Sequence, residues 1–151
     1  MGPGHTEAVV APAFARKSAR IEAAMMETKM AVGALDQERD FLDIPDICRA
    51  HIASVQNFGR LPKNQVINIA SSKMVRIGTV LDISLANSTH SIAMLQDPSR
   101  LVAVEIRRAL CNDAQVRELL GWLPHFGLED TVRAVPNFAR QQNGAGLGGD
   151  R

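Results

Sequence analysis

Residues 65–85, QVINIASSKMVRIGTVLDISL, form the longest strongly apolar and β-branched segment in a chain that charges otherwise interrupt at short intervals. A segment of this kind belongs in the interior, and the rest of the chain has to be arranged around it. Two templates describe it. Wound as a helix, it lines up Gln65, Asn68, Ser72, Arg76 and Thr79 in one polar stripe and gives Val66, Ala70, Met74, Ile77 and Leu81 to the core. Extended, it alternates Val75, Ile77, Thr79, Leu81, Ile83 and Leu85 with polar or small residues, broken only by Val80. The β-branched content and Gly78 favour strands; the lack of an Asn-Gly or Asp-Gly turn near Ser71 and Lys73 favours a helix. Its neighbours look helical and a lone hairpin is not stable by itself, so the segment is read as helix. The expected fold is mainly α, a single-domain helical bundle of about five helices. The alternative is an α+β fold with a small sheet from about 65–106.

The flanking elements support the helical reading. Over residues 14–42, Ile21, Met25, Val32, Leu35 and Leu42 fall on one stripe at nearly heptad spacing, which predicts a long amphipathic first helix. Pro45 and Gly59 bracket a second helix in which Ile47, Cys48, Ile52, Val55 and Phe58 share a face. A further helix is expected over 101–110. Asn112 or Asp113 caps another, burying Val116, Leu119, Leu120 and Leu123, and a last short helix over 128–135 stops at Pro136. Residues 1–12 and the Gly-rich 141–151 read as disordered tails on a domain over 13–140.

Composition narrows function by exclusion. A net charge of +1 supplies no long-range field for nucleic acid or anionic membranes, and 4% aromatic residues with no Tyr offer few rings for base stacking. No apolar run reaches the length of a membrane span. Residues 8–15, AVVAPAFA, have no Lys or Arg ahead of them, unlike a secretory leader. Cys48 and Cys111 belong to no CxxC pair and read as reduced cytoplasmic thiols.

No single motif assigns an activity. The leading expectation is a small cytoplasmic, non-enzymatic protein-interaction or regulatory module acting through its first helix, with Ile21, Met25, Val32 and Leu35 as the interface to a protein partner or a second copy. A second reading is a helix-turn-helix DNA-binding regulator over about 74–95, in which Ile77, Gly78, Leu81 and Ser84 form the first half, although the segment 85–95 carries no Arg or Lys. A third is a small enzyme pairing Ser84 or Cys111 with His90 or His125. Asp82 and Ser84 resemble part of the Asp-x-Ser-x-x-Gly motif of cyclic-dinucleotide-binding PilZ domains, and Arg16 and Arg20 match that family's Arg-x-x-x-Arg; Asn87 stands where the motif has Gly. Cys48 and His51 have one-turn spacing, but no second pair completes a metal site. Gly144, Gly146 and Gly149 spell GxGxxG without a preceding strand, so no cofactor is expected.

Overall fold

The structure, a computed structural model, describes residues 10–100 and 106–146. Three helices, α1 (Val10–Glu22), α3 (Ile77–Ala86) and α5 (Leu128–Gly146), pack on one another. Two others, α2 (Ile44–Gln56) and α4 (Ala114–Leu120), pack together elsewhere. Four short strands complete the fold. β1 (Lys29–Val32) and β4 (Ala93–Gln96) run parallel with Lys29 opposite Ala93, and β2 (Glu38–Asp40) and β3 (Met74–Arg76) run antiparallel with Glu38 opposite Arg76.

The main core is built from period-2 and period-3.6 patterns that meet. β1 turns Met30 and Val32 inward, α3 supplies Ile77, Val80 and Leu81, and Ala11, Phe14 and Val132 close the cluster from α1 and α5. A smaller core gathers Ala50, Val116 and Trp122, with Ile67 and Ile69 packed against it. Asp46, fully buried, organises its edge: the carboxylate accepts backbone N–H groups from His125 and Phe126 at 3.0 Å and an Arg49 guanidinium at 2.7 Å, while the carbonyl of Asp46 accepts the Trp122 indole.

The helical-bundle expectation is therefore corrected to a mixed α/β fold. The first helix ends at Glu22; Ala24 adopts a left-handed φ of 55°, and the chain re-emerges as β1. Met30 and Val32 alternate inward as a strand, and the parallel partner that makes this possible, β4, lies far along the chain. The α+β alternative fails too, because β3 and β4 do not pair with each other but with β2 and β1, inside the stretch read as helix.

The 65–85 segment obeys neither template throughout. Residues 65–73 carry no regular element, 74–76 are strand and 77–86 are helix. The switch is fixed from outside: the N–H groups of Ile77 and Gly78 donate to the carbonyls of Gln37 and Leu35 at 2.8 and 2.9 Å, and a Cβ on Gly78 would come within 3.3 Å of Leu35 O.

Pro45 does open α2, but the helix buries Asp46 and Ala50 and leaves Ile52, Val55 and Phe58 at 56%, 76% and 79% exposure, reversing the expected inner face. Residues 106–110 are not helical, Arg108 instead bridging to Glu38, and 101–105 lie outside the described residues. Pro136 sits buried inside α5 and does not end it. Packing of α5 against α1 and α3 outweighs the hydrogen bond that Pro removes. Helix occupies 10–12 and 141–146 where tails were expected; the outer parts of those tails lie outside the described residues.

Candidate functional site

The parallel pair β1–β4 sets the position of an open cleft. Val32 at the end of β1 and Gln96 at the end of β4 line it together with Gly33, Ala34, Leu35, Asp36, Arg76 and Met94, around a volume of 560 Å³. Clefts outside the carboxyl ends of parallel strands are where α/β folds take ligands. Gly33 has a local reason: Arg100 O lies 2.7 Å from where its Cβ would stand, so any side chain would push the 98–100 turn away from the cleft.

Arginines gather at this end of the molecule. Arg39 is braced by its guanidinium, which donates to the carbonyls of Glu38 and Arg107 at 2.8 and 3.4 Å and to Gln37 Oε1 at 3.1 Å. Arg108 pairs with Glu38 at 3.2 Å, and Arg100 with Asp97 at 3.1 Å. The guanidinium of Arg76, exposed on the cleft wall at the junction of β3 and α3, makes no hydrogen bond or ion pair among the described residues. A guanidinium with all of its donors unspent, next to apolar Val32, Leu35 and Met94, suits a ligand with an anionic group attached to a flat or apolar body.

The sequence profile of the GDP-mannose 4,6 dehydratase family matches residues 1–135. The chain belongs to this family. GDP-6-deoxy-D-mannose reductase of Pseudomonas aeruginosa is 26% identical over 135 residues, 89% of this chain and 43% of that protein. The structure of RMD from Pseudomonas aeruginosa complexed with NADPH superposes with a TM-score of 0.85 at 23% identity, covering 94% of this chain and 46% of that one. UDP-glucose 4-epimerase from Thermotoga maritima, solved with UDP-glucose, gives 0.79 at 18% identity over 95% of this chain and 44% of that one. The chain thus spans less than half the length of these relatives. The likeness to solved structures confirms an α/β fold with parallel strand pairing.

Membership of a family of sugar-nucleotide reductases, dehydratases and epimerases overturns the expectation of a non-enzymatic regulatory module. The helix-turn-helix reading fails on geometry: α3 is followed by the strand β4, not by a recognition helix. The Cys/His or Ser/His enzyme finds no constellation either. Ser84 is buried and its hydroxyl donates to Val80 O, while the described polar contact at Cys111 is its carbonyl accepting from Ser72. His90 is exposed beside Thr89 Oγ1, and His125 lines a separate 390 Å³ cavity with Lys73, Val75 and Arg117. No group of three metal-ligating side chains occurs among the described residues. Arg16 and Arg20 lie in α1 and Asp82 and Ser84 in α3, so the fragments resembling a PilZ motif are two helical segments in an unrelated fold.

Of the four residues expected to share an interface, Ile21 and Val32 are core, Leu35 is half-buried beside the cleft, and Met25 is 64% exposed in the turn after α1. They do not lie on one helix. The residues missed, Arg39 and Arg76, were hidden by a net charge that averages local clusters away. Among the described residues no helix is long and apolar enough to cross a membrane.

Proposed function

We propose that this chain supplies the sugar-nucleotide-binding part of an enzyme that remodels the hexose of a nucleoside diphosphate sugar. The observation that carries the reading is Arg76, a guanidinium without a partner among the described residues, on the wall of the cleft at the ends of β1 and β4. A diphosphate accepts two parallel N–H bonds from such a group, and Arg39, braced by three acceptors, adds positive charge at the neighbouring strand. The apolar wall of Val32, Leu35 and Met94 suits the face of a base, and Asp36 is an acceptor for sugar hydroxyls. The names of the relatives agree: one acts on a GDP-linked deoxymannose and another was solved with UDP-glucose.

A nicotinamide cofactor, held by the Pseudomonas relative, does not fit the described residues. Dinucleotide binding needs a glycine-rich turn between a strand and a helix. Here Gly144 and Gly146 lie at the carboxyl end of α5, and Gly149 is outside the described residues. No hydride step is assigned to this chain; its part is to hold and orient the sugar nucleotide. The two free cysteines, Cys48 and Cys111, suit a cytoplasmic setting, where sugar nucleotides are at hand.

Titration calorimetry with GDP-mannose and UDP-glucose tests the site. Binding of a nucleotide sugar that Arg76→Ala weakens about 10- to 100-fold, the worth of a charge-assisted hydrogen-bond pair, supports the reading. No binding of either ligand at millimolar concentration, or equal affinity in the variant, overturns it.

A further inference from the structure

We propose that the cavity between the 71–75 turn, Arg117 and the 123–128 loop is a second ligand site, built for a phosphate monoester on a small aromatic body. It stands apart from the cleft at the ends of β1 and β4, with which it shares no lining residue. β3 divides the two: Val75 lines the cavity and its neighbour Arg76 lines the cleft, as successive residues of a strand point to opposite faces.

Three donor groups line the cavity from three separate segments. The Lys73 ammonium makes no hydrogen bond or ion pair among the described residues. Arg117 spends its Nε on Asp113 Oδ2, and its two Nη groups have no partner among the described residues. The His125 imidazole stands edge-on to the Phe126 ring, with 5.2 Å between centroids, and its nitrogens make no hydrogen bond among the described residues. Two cations and an imidazole N–H exceed what the two oxygens of a carboxylate use, and they match the three terminal oxygens of a phosphate monoester.

No acidic side chain lines the cavity among the described residues, and the carboxylates around it are already engaged. Asp40 accepts the amides of Ser71 and Ser72 at 3.0 Å, Ser72 taking a left-handed φ of 56° that turns successive amides towards one anion. Asp46 accepts the amides of His125 and Phe126, and Asp130 accepts that of Gly127 at 3.1 Å. Asp113 takes the Ser72 hydroxyl at 2.6 Å as well as Arg117. These contacts fix the backbone of the rim before any ligand arrives, so little ordering is left to oppose binding.

The walls supply the other half of the recognition. Phe41, Val75, Leu123, Pro124 and Phe126 line the same cavity, with Leu123 and Phe126 exposed at 49% and 42%. A volume of 390 Å³ lies at the lower end of the range for ligand pockets, room for one ring and its phosphate.

Phenyl phosphate, titrated into the whole chain, is the probe, with the NMR shifts of the Lys73 amide and the His125 ring as the readout. The expected result is saturable binding with a dissociation constant of about 1 mM or below, which Lys73→Gln weakens about tenfold, the worth of one charge-assisted hydrogen bond. Leu123→Ser should weaken it too, and Arg76→Ala should leave it unchanged. Lys73 and Leu123 are both exposed, so their substitution leaves the fold intact. No shift at about 10 mM overturns the proposal, as does equal affinity in Lys73→Gln. Inorganic phosphate bound as tightly as phenyl phosphate removes the apolar walls from the account, and benzoate bound as tightly removes the phosphate; either result overturns the assignment. Binding that Arg76→Ala abolishes and Lys73→Gln retains places the probe in the cleft at β1 and β4, and there is then no second site.

Discussion

The α1–α3–α5 side and the α2–α4 side are built to different degrees of completion. On the first, apolar side chains from three helices and β1 close on one another, and the Arg140 guanidinium locks the periphery, donating to Glu22 at 2.7 and 2.9 Å and to Asn87 O at 2.8 Å. Glu22 in turn accepts from Ser88 and from the Thr89 amide, so one carboxylate ties α1, α5 and the loop after α3. On the second side the core has three buried members, and a buried carboxylate, Asp46, holds the chain at His125 and Phe126. Its helix faces its most apolar residues outward. The contrast teaches that amphipathicity alone does not say which face is inside: α2 has a stripe of the right period, and its Ile52 and Val55 face outward among the described residues.

Substitutions separate the two sides by size of effect. Leu81→Ala, in the closed core, is expected to cost about 3 kcal/mol in denaturant unfolding, and a cost under about 1 kcal/mol would show that this core is not the tight one. Asp46→Ala leaves two backbone amides unsatisfied and should cost about 2 kcal/mol by the same measurement; a neutral result would mean that the second side does not depend on its buried carboxylate.

Acid stability tests the peripheral lock. The Arg140 side chain, with help from Thr89 and Ser88, holds the Glu22 carboxyl down to about 2 from its ordinary 4.5 against the opposing effect of burial. The stabilisation from the charged form is complete above pH 4.5 and is lost as pH falls towards 2. Glu22→Gln should flatten the midpoint-against-pH curve in that window, and an unchanged acid limb would remove Glu22 from the account. Ser18→Ala works in the other direction. The Ser18 hydroxyl is buried without a partner among the described residues, so its removal should raise stability by about 1 kcal/mol, measured as a higher midpoint. Smallest of all, Val55→Asp should change the stability of the free chain by less than about 0.5 kcal/mol, and a larger loss would show that the outer face of α2 is already covered.

Signals that act within a few residues were legible in the sequence. Pro45 marks the first turn of α2 and Asn112 accepts the Ala114 amide at the start of α4, whereas the expected run of that helix through Leu123 is cut short at Leu120 by the left-handed Gly121, which leaves Leu123 exposed. Exclusions from composition also came from residues alone, because charge and apolar content sum without a fold. What needed the tertiary structure was every feature whose partner lies far along the chain. Met30 and Val32 become a strand because Ala93–Gln96 lies beside them, and the 65–85 segment changes from strand to helix at Arg76 because Gln37 and Leu35 present carbonyls there. Arg76 becomes a candidate ligand group for the same reason: it is one basic residue among 17 in the sequence, and only the meeting of β1, β3 and β4 sets it on a cleft wall, its guanidinium without a partner among the described residues. Backbone hydrogen bonds between distant segments leave no periodicity in either one, so the sequence carries the capacity for strand or helix and the fold chooses between them.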